Sequence, residues 1–409
     1  MRHEGTALRF VTTLLVLVLA DSAHAGGLYV SVFGTPDMGT ASAGAHAMAD
    51  DASTALLNSA GMTRLDDHQL QGSLAPGFTI TKFHADADTP RGGGDGGDQG
   101  GLVPISSAQY VHKLSERWRF GMSLFSFSGA ALDPDNSWAG RNQTTKVSLF
   151  TLSLMPSLAV RATDWLSLGF GVAITYGRLD LFLRAPILSE PTVKLDDMTD
   201  WAPAPFASVL LEPTPTLRFG VVYQGETDFK LSGDVKGPVG VDPGIDLNLP
   251  LPQAVRGSVY WETTPRIALL ASAGWEDWSE AKNLPISFER GSSAVPTGFR
   301  DTWYLAGGIH YSLTDDWTLQ TGLRYDSSAL KDSDRTAALP VDRIYTLGVG
   351  GLYDWSESLR LGLSFSWSDL GSAPLNKPVV KGKYRKNDLF VFGVSLYWKK
   401  LPWSGKAAL

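Results

Sequence analysis

The sequence of 409 residues contains no cysteine, so disulfide bonds play no part in holding its fold together. It also lacks a basic excess: 42 acidic residues against 35 basic ones give a net charge of −7, which argues against a nucleic-acid partner. After residue 25 no stretch reaches the roughly 18 uninterrupted apolar residues that a transmembrane helix needs. The sequence has no phosphate-binding loop, so we expect neither ATP nor any other cofactor. These absences argue against a disulfide-rich domain, a nucleic-acid-binding protein and a helical inner-membrane protein.

The first 25 residues have the pattern of a cleaved secretion signal. Arg2 and Arg9 supply positive charge, residues 10–20 form an apolar stretch, and residues 23–25 (Ala-His-Ala) fit the small-x-small cleavage pattern. The apolar stretch is too short to cross ~30 Å of hydrocarbon as a helix, although a membrane anchor is the alternative. We therefore expect an exported protein whose mature chain begins at Gly26.

From about residue 67 onward the sequence repeats with a period of two. Nearly every second residue is apolar in residues 166–176, 317–325, 359–367 and 390–398, and the residues between them are small or polar. Because side chains alternate sides along a β-strand, each segment predicts a strand with one apolar face and one small or polar face. A soluble β-sandwich shows the same alternation, so the connections between strands must distinguish the two folds.

Short turns and long connections alternate along the chain. Six short polar turns are predicted at residues 114–117, 162–164, 212–215, 263–265, 314–316 and 355–358. Long connections rich in Gly, Pro, Asp and Asn are predicted at residues 86–101, 133–143, 231–250 and 331–342. This asymmetry is typical of outer-membrane barrels, whose periplasmic turns are short and whose extracellular loops are long.

The turn count predicts an all-β protein, a 14-stranded antiparallel transmembrane β-barrel in the outer membrane. Six turns join twelve strands in pairs, and one further strand at each end makes an even fourteen over residues 67–399, followed by a tail at residues 400–409. Tryptophans near the predicted strand ends would form the interfacial girdles: Trp118, Trp165, Trp303, Trp317, Trp355 and Trp398.

Residues 26–66 do not alternate and consist mainly of small side chains with too little bulk to build a core of their own. A flexible periplasmic tail is one interpretation, and a plug folded inside the barrel lumen is the other. The segment contains Ala49-Asp50-Asp51-Ala52 and then Asn58-Ser59-Ala60-Gly61. It resembles the N-terminal hatch of the FadL/TodX family of outer-membrane channels for long-chain fatty acids and other hydrophobic compounds. Ser59 stands where that family usually has proline.

The resemblance extends over nearly the whole mature chain. Residues 249–253, 275–279, 299–303, 325–328 and 339–343 are similar to family blocks and follow the family order. The chain departs from the family at its end, because members tend to finish on the aromatic residue of the last strand. Here residues 399–409 follow Trp398.

The resemblance implies passive, ATP-independent uptake of hydrophobic compounds, most of all long-chain fatty acids, with lateral release into the membrane. The implied partners are hydrophobic small molecules, outer-membrane lipid, and the export and barrel-assembly machinery, and the protein would be a monomer that is not an enzyme. General porins, aromatic-hydrocarbon porins, an outer-membrane phospholipase and an adhesin or phage receptor are the alternatives. A glycine-aspartate run at residues 92–101 resembles one turn of a calcium-binding repeat, but a single copy favours a flexible loop.

By the same resemblance, capture would occur between extracellular segments 179–193 and 229–250, unless the first is a strand continuing above the membrane. The implied substrate-binding residues are Phe182, Leu183, Ile187, Leu188 and, for a carboxylate head group, Arg178. Strict alternation would point Arg178 outward unless Gly177 shifts the register. The implied hatch residues that gate passage are Asp50, Asp51, Asn58, Ser59, Ala60 and Gly61. The implied lateral opening lies in the third strand, at Phe127 and Gly129.

Overall fold

The computed structural model describes residues 36–90, 92–185, 191–237, 240–288 and 291–401. The predicted signal at residues 1–25, the start of the hatch at residues 26–35 and most of the predicted tail lie outside these ranges. In the described part of the chain, no helix has the length and apolar character required to span a membrane.

The sheet is a closed antiparallel barrel of fourteen strands, several of them built from two segments. In chain order the strands are Gln69–Leu74 with Gly77–Ala85, Leu102–Val103 with Ser106–Lys113, Trp118–Leu132, Lys146–Arg161, Leu166–Arg184, Thr192–Thr214, Leu217–Gln224 with Thr227–Gly237, Gly240–Leu251 with Ala254–Thr264, Ile267–Glu276 with Asn283–Phe288, Gly291–Pro296 with Thr302–Ser312, Trp317–Asp326, Ile344–Asp354, Leu359–Asp369 and Lys381–Trp398. A short strand, Leu375–Asn376, pairs with the last of them. The first strand closes the barrel, because Gln71 lies opposite both Gln109 of the second strand and Tyr397 of the fourteenth. The predicted fourteen-stranded fold is confirmed.

All six predicted short turns connect consecutive strands, and residues 86–101, 133–143 and 331–342 lie in long connections. The predicted loop at residues 231–250 is wrong: the seventh and eighth strands continue through it and pair from Thr227 with Leu251 to Gly237 with Gly240. The segment from residue 179 is likewise strand as far as Arg184. In both places apolar residues still alternate, so the strands extend together above the membrane band and bury one face.

The outward face is apolar and the inward face is small or polar. Large hydrophobic side chains are exposed at outward positions, for example Leu363 at 62% and Phe392 at 52%, whereas the neighbouring inward Ser366 and Ser395 are buried. The girdle tryptophans Trp118, Trp165, Trp303, Trp317 and Trp355 are also exposed. The hydrocarbon core of a membrane requires such a surface. Closure of the barrel gives every backbone N–H and C=O group a hydrogen-bond partner, and apolar side chains face the lipid.

Residues 36–65 form the hatch, which packs against the inward face. It contains two 3-10 helices, Pro36–Thr40 and Ser59–Arg64, and one helical turn, Thr54–Leu57. A fourth short helix, Trp278–Lys282, belongs to the ninth strand's connection. Nearly every hatch residue from Asp37 to Leu65 is buried or half-buried, so the segment packs inside the barrel instead of hanging below it.

Candidate functional site: the hatch and the lumen above it

Serine hydroxyls on the barrel wall hold the hatch backbone. The amide of Gly44 donates to Ser272 Oγ at 2.9 Å, and the amide of His46 donates to Ser258 Oγ at 3.1 Å. The amide of Ala60 donates to Ser208 Oγ at 3.0 Å. A segment without a core of its own is therefore ordered by hydrogen bonds to the wall, each contributing about 1 kcal/mol. It is also ordered by packing of small apolar side chains in a cluster with Tyr260 and Leu270 of the wall.

Glycines on the wall let the hatch backbone approach closely. A Cβ atom at Gly220 would lie 1.7 Å from the carbonyl oxygen of His46. A Cβ at Gly322 would lie 2.0 Å from the carbonyl oxygen of Thr40. The small residues that alternate with apolar ones in the strands thus shape a seat for the hatch.

The Asn58-Ser59-Ala60-Gly61 motif begins the second 3-10 helix. Asn58 Nδ2 donates to the carbonyl of His46 at 2.6 Å, and Asn58 Oδ1 accepts from the amide of Ala60 at 3.1 Å. Ser59 Oγ lies 2.9 Å from Ser208 Oγ. A Cβ at Gly61 would lie 2.3 Å from Thr54 Oγ1. Each residue of this motif therefore has a structural task in the hatch.

The Asp50-Asp51 pair serves two different roles. Asp50 Oδ1 lies 3.2 Å from Arg218 Nη1 of the seventh strand and 3.9 Å from Arg64 Nη2 of the hatch. Arg64 also forms an ion pair with Glu212. Asp51, in contrast, is buried and accepts a hydrogen bond from the amide of Ser53 at 2.9 Å. Asp50 thus ties the hatch to the wall, and Asp51 shapes the hatch itself.

Three buried titratable groups of the hatch have shifted pKa values. Burial raises the pKa of the Asp37 carboxyl to about 7, against a hydrogen bond from Ser42 that lowers it. Burial also raises the pKa of Asp51 above its ordinary value. For His46, burial lowers the pKa to about 4, so the neutral ring donates from Nδ1 to the carbonyl of Leu57 at 2.8 Å. The hatch core is therefore uncharged at Asp37 and His46 in mildly acidic solution.

The loop end of the barrel contains a large cluster of buried hydrophobic side chains, called here the upper apolar cluster. Its members come from the third to the tenth strands, the short helix and three connections: Leu132, Val147, Leu149, Leu183, Ala185, Val193, Leu195, Met198, Ala202, Phe229, Leu231, Val235, Ile245, Leu247, Leu249, Leu251, Trp278, Ala281, Leu284, Ile286, Val295, Phe299, Ala329, Leu330, Ala338 and Leu339. The inward face thus combines serine hydroxyls with small apolar clusters beside the hatch, and it is lined by larger apolar side chains toward the loops.

The predicted capture residues do not share one face of the sheet in the structure. Leu183 belongs to the upper apolar cluster and is fully buried. Phe182 faces the other way, with its ring 5.0 Å from Nζ of both Lys146 and Lys194. Ile187 and Leu188 lie outside the described residues. Residues 179–184 therefore continue the fifth strand, which was the alternative to a capture loop.

Arg178 does not face the lumen, so its assignment to a ligand head group there is wrong. The alternation holds through Gly177, and the Arg178 guanidinium pairs with Asp180 at 3.4 Å and Asp197 at 3.0 Å. The register shift comes at Asp180, two residues after Arg178, between Leu179 and Leu181. Because the shift follows Arg178 in the chain, it does not turn the Arg178 side chain inward.

Two other arginines do face the lumen above the hatch. Arg256 Nη2 lies 2.9 Å from Glu276 Oε1, and Trp278 Nε1, from the upper apolar cluster, donates to Glu276 Oε2 at 3.0 Å. Arg324 pairs with Asp326 at 2.6 Å and stacks on the Tyr304 ring at 3.6 Å. Sequence reasoning missed both arginines. In the sequence, each of them could have been recognised as a cation at an inward position of an otherwise regular alternating strand.

The third strand contains an irregularity at the predicted lateral opening. Its register against the fourth strand shifts between Ser128 and Ala130, so Gly129 is an extra, bulged residue. Pairing with the second strand extends only to Ser126. The backbone of Phe127 pairs with Thr151, and its side chain lies outside the described part.

Beside this irregularity the outer surface has a cavity of about 410 Å³ lined mostly by apolar atoms. Its lining includes the exposed Leu74, Leu124 and Val394 and the small residues Gly72 and Ala108. The buried residue Ser107 also contributes to the lining. In the described ranges, no group of three or more His, Asp or Glu residues is arranged to hold a metal ion.

The whole chain is similar to known outer-membrane proteins. It is 22% identical over 424 residues to the long-chain fatty acid transport protein of Salmonella typhi, covering 92% of this chain and 95% of that protein. It is 23% identical to outer membrane protein P1 of Haemophilus influenzae, covering 86% of this chain and 88% of that one.

Solved structures share the fold. The crystal structure of a Pseudomonas aeruginosa FadL homologue aligns with a TM-score of 0.82 at 22% identity, over 89% of this chain and 98% of that one. The Pseudomonas putida toluene transporter TodX aligns with a TM-score of 0.67 at 17% identity, over 92% and 99%. The family model of the outer membrane protein transport proteins (OMPP1/FadL/TodX) matches residues 16–391. This chain, a fourteen-stranded barrel with its hatch in the lumen, therefore belongs to that family of outer-membrane transport proteins.

Proposed function

We propose that this protein carries hydrophobic compounds, foremost long-chain fatty acids, passively across the outer membrane. The observation that carries the proposal is the change of lining along one lumen, from the upper apolar cluster to the polar seat of the hatch. Relatives named for long-chain fatty acids and for toluene support this class of cargo. The family is one of transport proteins, so an enzymatic role such as a phospholipase has no support from it.

The physical need for an apolar route comes from hydration. Moving one methylene group into water costs about 0.8 kcal/mol, so a sixteen-carbon chain resists a wet pore by on the order of 10 kcal/mol. Contact with the upper apolar cluster removes much of that barrier. A general porin, with an open aqueous lumen, would offer no such contact and would not need a hatch.

A carboxylate head group would meet its first cation where the apolar lining ends. Arg256 and Glu276 lie at that boundary, because Trp278 of the upper apolar cluster bonds to the same Glu276. An incoming carboxylate can share the Arg256 guanidinium with Glu276 and Gln224, which accepts from Nη1 at 3.1 Å. We propose Arg256, in place of Arg178, as the residue that distinguishes acids from neutral hydrocarbons.

Release would be lateral, through the wall beside the third strand. The bulge at Gly129, the end of pairing at Ser126 and the apolar outer cavity support this exit. An apolar molecule leaving there enters the bilayer without crossing water. The gate would be the hatch, because it fills the lumen below the upper apolar cluster and is held by hydrogen bonds and ion pairs that can be exchanged.

The test is uptake of labelled oleate and labelled toluene by cells with and without the gene, repeated for Arg256→Gln and for the outward Arg178→Gln as a matched control. We expect the gene to raise uptake of at least one compound, without dependence on ATP. Arg256→Gln should lower oleate uptake several-fold and leave toluene uptake unchanged, while Arg178→Gln changes neither. Equal uptake with and without the gene would refute transport. Equal loss of both compounds in Arg256→Gln would refute the head-group role alone.

A further inference from the structure

Outward-facing cations gather at the loop end of the fourteenth and first strands. Lys383, Arg385 and Lys386 are exposed on the fourteenth strand, and Lys82 is exposed on the first. Lys82 lies directly opposite Lys386 in the sheet, and Arg385 is the extra residue at a register shift beside them. These four residues are called the basic face. Like charges directly opposite each other destabilise a strand pair, so the arrangement favours binding of an anion.

Nearby carboxylates neutralise this face only in part. Asp98 Oδ2 lies 4.0 Å from Lys82 Nζ, while Asp98 Oδ1 accepts from the amide of Thr81. Asp95 Oδ1 likewise accepts from the amide of Ala85, and its Oδ2 faces His84 at 3.2 Å. Over the described ranges, no carboxylate oxygen lies within 4.0 Å of a side-chain nitrogen of Lys383, Arg385 or Lys386. Asp95 interacts with Arg385 at longer range, and Asp388, two residues from Lys386, accepts from Trp367 Nε1 at 2.9 Å.

The basic face lies at the height of lipid head groups. Twelve residues separate Trp398, at the turn end, from Lys386. At about 3.3 Å per residue and a tilt of about 40°, they rise roughly 30 Å, slightly more than the apolar band of an outer-membrane barrel. Leu396, Val394 and Phe392 occupy the outward positions in between.

An apolar groove lies on the outer surface to one side of the fourteenth strand, nearer the turn end than Lys386. It has a volume of about 330 Å³ on the tenth to thirteenth strands, with lining that includes Leu305, Leu323, Tyr345 and Trp367. Trp367 pairs with Phe390 of the fourteenth strand, so the groove adjoins the strand that carries three of the cations. An acyl chain fits such a lining.

The opposite side of the barrel lacks this charge pattern. On the seventh strand, Lys230 and Lys236 are also exposed, but Asp228 and Asp234 are exposed on the same strand. Lys236 Nζ additionally lies 3.3 Å from a carboxylate oxygen of Asp196. A diffuse excess of positive charge around the rim therefore does not explain the basic face.

We propose that the basic face and the groove form a binding site for a phosphorylated glycolipid of the outer leaflet, with its phosphate on the four cations and an acyl chain in the groove. Several basic side chains at a membrane surface add up to strong attraction for lipid phosphate. Such a lipid would also relieve the repulsion between Lys82 and Lys386.

The test measures binding of diphosphorylated lipid A to the full-length barrel in detergent by native mass spectrometry. The triple variant K82Q/R385Q/K386Q should bind at least about tenfold more weakly at low salt, and salt should weaken wild-type binding. The matched control K230Q/K236Q should bind like wild type. Dephosphorylated lipid A should bind wild type as weakly as diphosphorylated lipid A binds the triple variant.

The single variant Lys82→Gln gives a second readout whose sign depends on the lipid. It removes the cross-strand repulsion, so it should raise the melting temperature of the lipid-free barrel and lower that of the lipid-loaded one. The heat-dependent migration of folded barrels in gels checks that every variant is folded. Unchanged lipid A binding by the folded triple variant, or an equal loss in K230Q/K236Q, would overturn the proposal.

Discussion

The half of the lumen near the short turns and the half near the long loops are built from the same strands but are lined by different kinds of side chain. On the seventh strand the inward Gly220 touches the hatch backbone, whereas Phe229 and Leu231 enter the upper apolar cluster. On the eighth strand Ser258 bonds to the hatch, whereas Leu247 belongs to the cluster. The turn half therefore holds the hatch by polar contacts and small apolar clusters, whereas the loop half is lined by large buried apolar side chains. A hydrophobic molecule meets apolar surface first and the polar gate second.

The variant Gly220→Ala should have the largest effect on this contrast, because it should displace the hatch from the barrel wall. The new Cβ would lie 1.7 Å from the His46 carbonyl oxygen, and neither backbone can yield without displacing the other. Overpacking of this kind costs about 1–3 kcal/mol or more, comparable to several of the hatch hydrogen bonds. We expect a large rise in single-channel conductance in planar bilayers, because ions pass once the hatch leaves the lumen.

Gly307→Ala is the matched control, since a Cβ at Gly307 meets no atom within 4 Å. Its conductance should equal that of wild type. If Gly220→Ala also keeps the closed conductance while its barrel is folded, the hatch does not depend on this close approach.

A second variant tests the apolar half by making it polar. Phe229→Ser places a hydroxyl at a position only 1% exposed, inside the upper apolar cluster. The loss of an aromatic side chain removes roughly 2–3 kcal/mol of favourable apolar contact. We expect uptake of labelled oleate to fall about tenfold or more, with single-channel conductance unchanged because the hatch is intact.

The matched control is Phe392→Ser, which also removes a phenylalanine side chain, but from a lipid-facing position that is 52% exposed. It should leave oleate uptake near that of wild type. A drop of similar size in both variants would mean that barrel stability, and not the luminal lining, limits uptake.

The sequence predicts the wall of this molecule better than its interior. Alternation and turn chemistry are local, and they predicted all fourteen strands and six turns. They did not reveal that residues 231–250 form a hairpin, because Gly and Pro suggested a loop while the alternating Leu231, Ile245 and Leu247 were the stronger signal. The inward arginines Arg256 and Arg324 acquire meaning only through partners on neighbouring strands, and pairing across strands is not visible in one sequence.

The pH dependence of the hatch separates His46 from the two buried carboxyls, Asp37 and Asp51, whose pKa values burial raises. The His46 pKa falls from 6.5 to about 4 on burial, so an opened hatch binds the proton more readily and the packed hatch loses stability as the pH falls from about 6.5 to 4. The Asp37 pKa rises from 3.8 to about 7, so the packed hatch binds the proton more readily and loses stability as the pH rises from about 4 through 7. The two groups thus oppose each other between these limits.

Variants resolve the two effects. Asp37→Asn should reduce the loss of hatch stability toward neutral pH, leaving the part due to Asp51. His46→Gln should remove the loss toward acid. Hydrogen exchange of hatch amides, measured across pH 4 to 8 and corrected for intrinsic exchange, reports both. A pH profile unaltered by either substitution would show that neither group titrates with hatch opening.

The smallest expected effect is that of Ser59→Pro, which installs the residue that the related hatches usually have. Ser59 is the first residue of its 3-10 helix, where proline is well tolerated. Asn58 before it is extended at φ −158° and ψ 95°, outside the α region that a following proline disfavours. The substitution removes the hydrogen bond to Ser208, about 1 kcal/mol, but proline restricts the unfolded segment by about 0.4–1 kcal/mol. These contributions nearly cancel, so hatch amide exchange and conductance should stay within about a factor of three of wild type. Ser59→Ala, which loses the hydrogen bond without gaining the restriction, should loosen the hatch more than Ser59→Pro does. The reverse order would mean that the Ser59 hydroxyl contributes less to closure than the shape of the turn it begins.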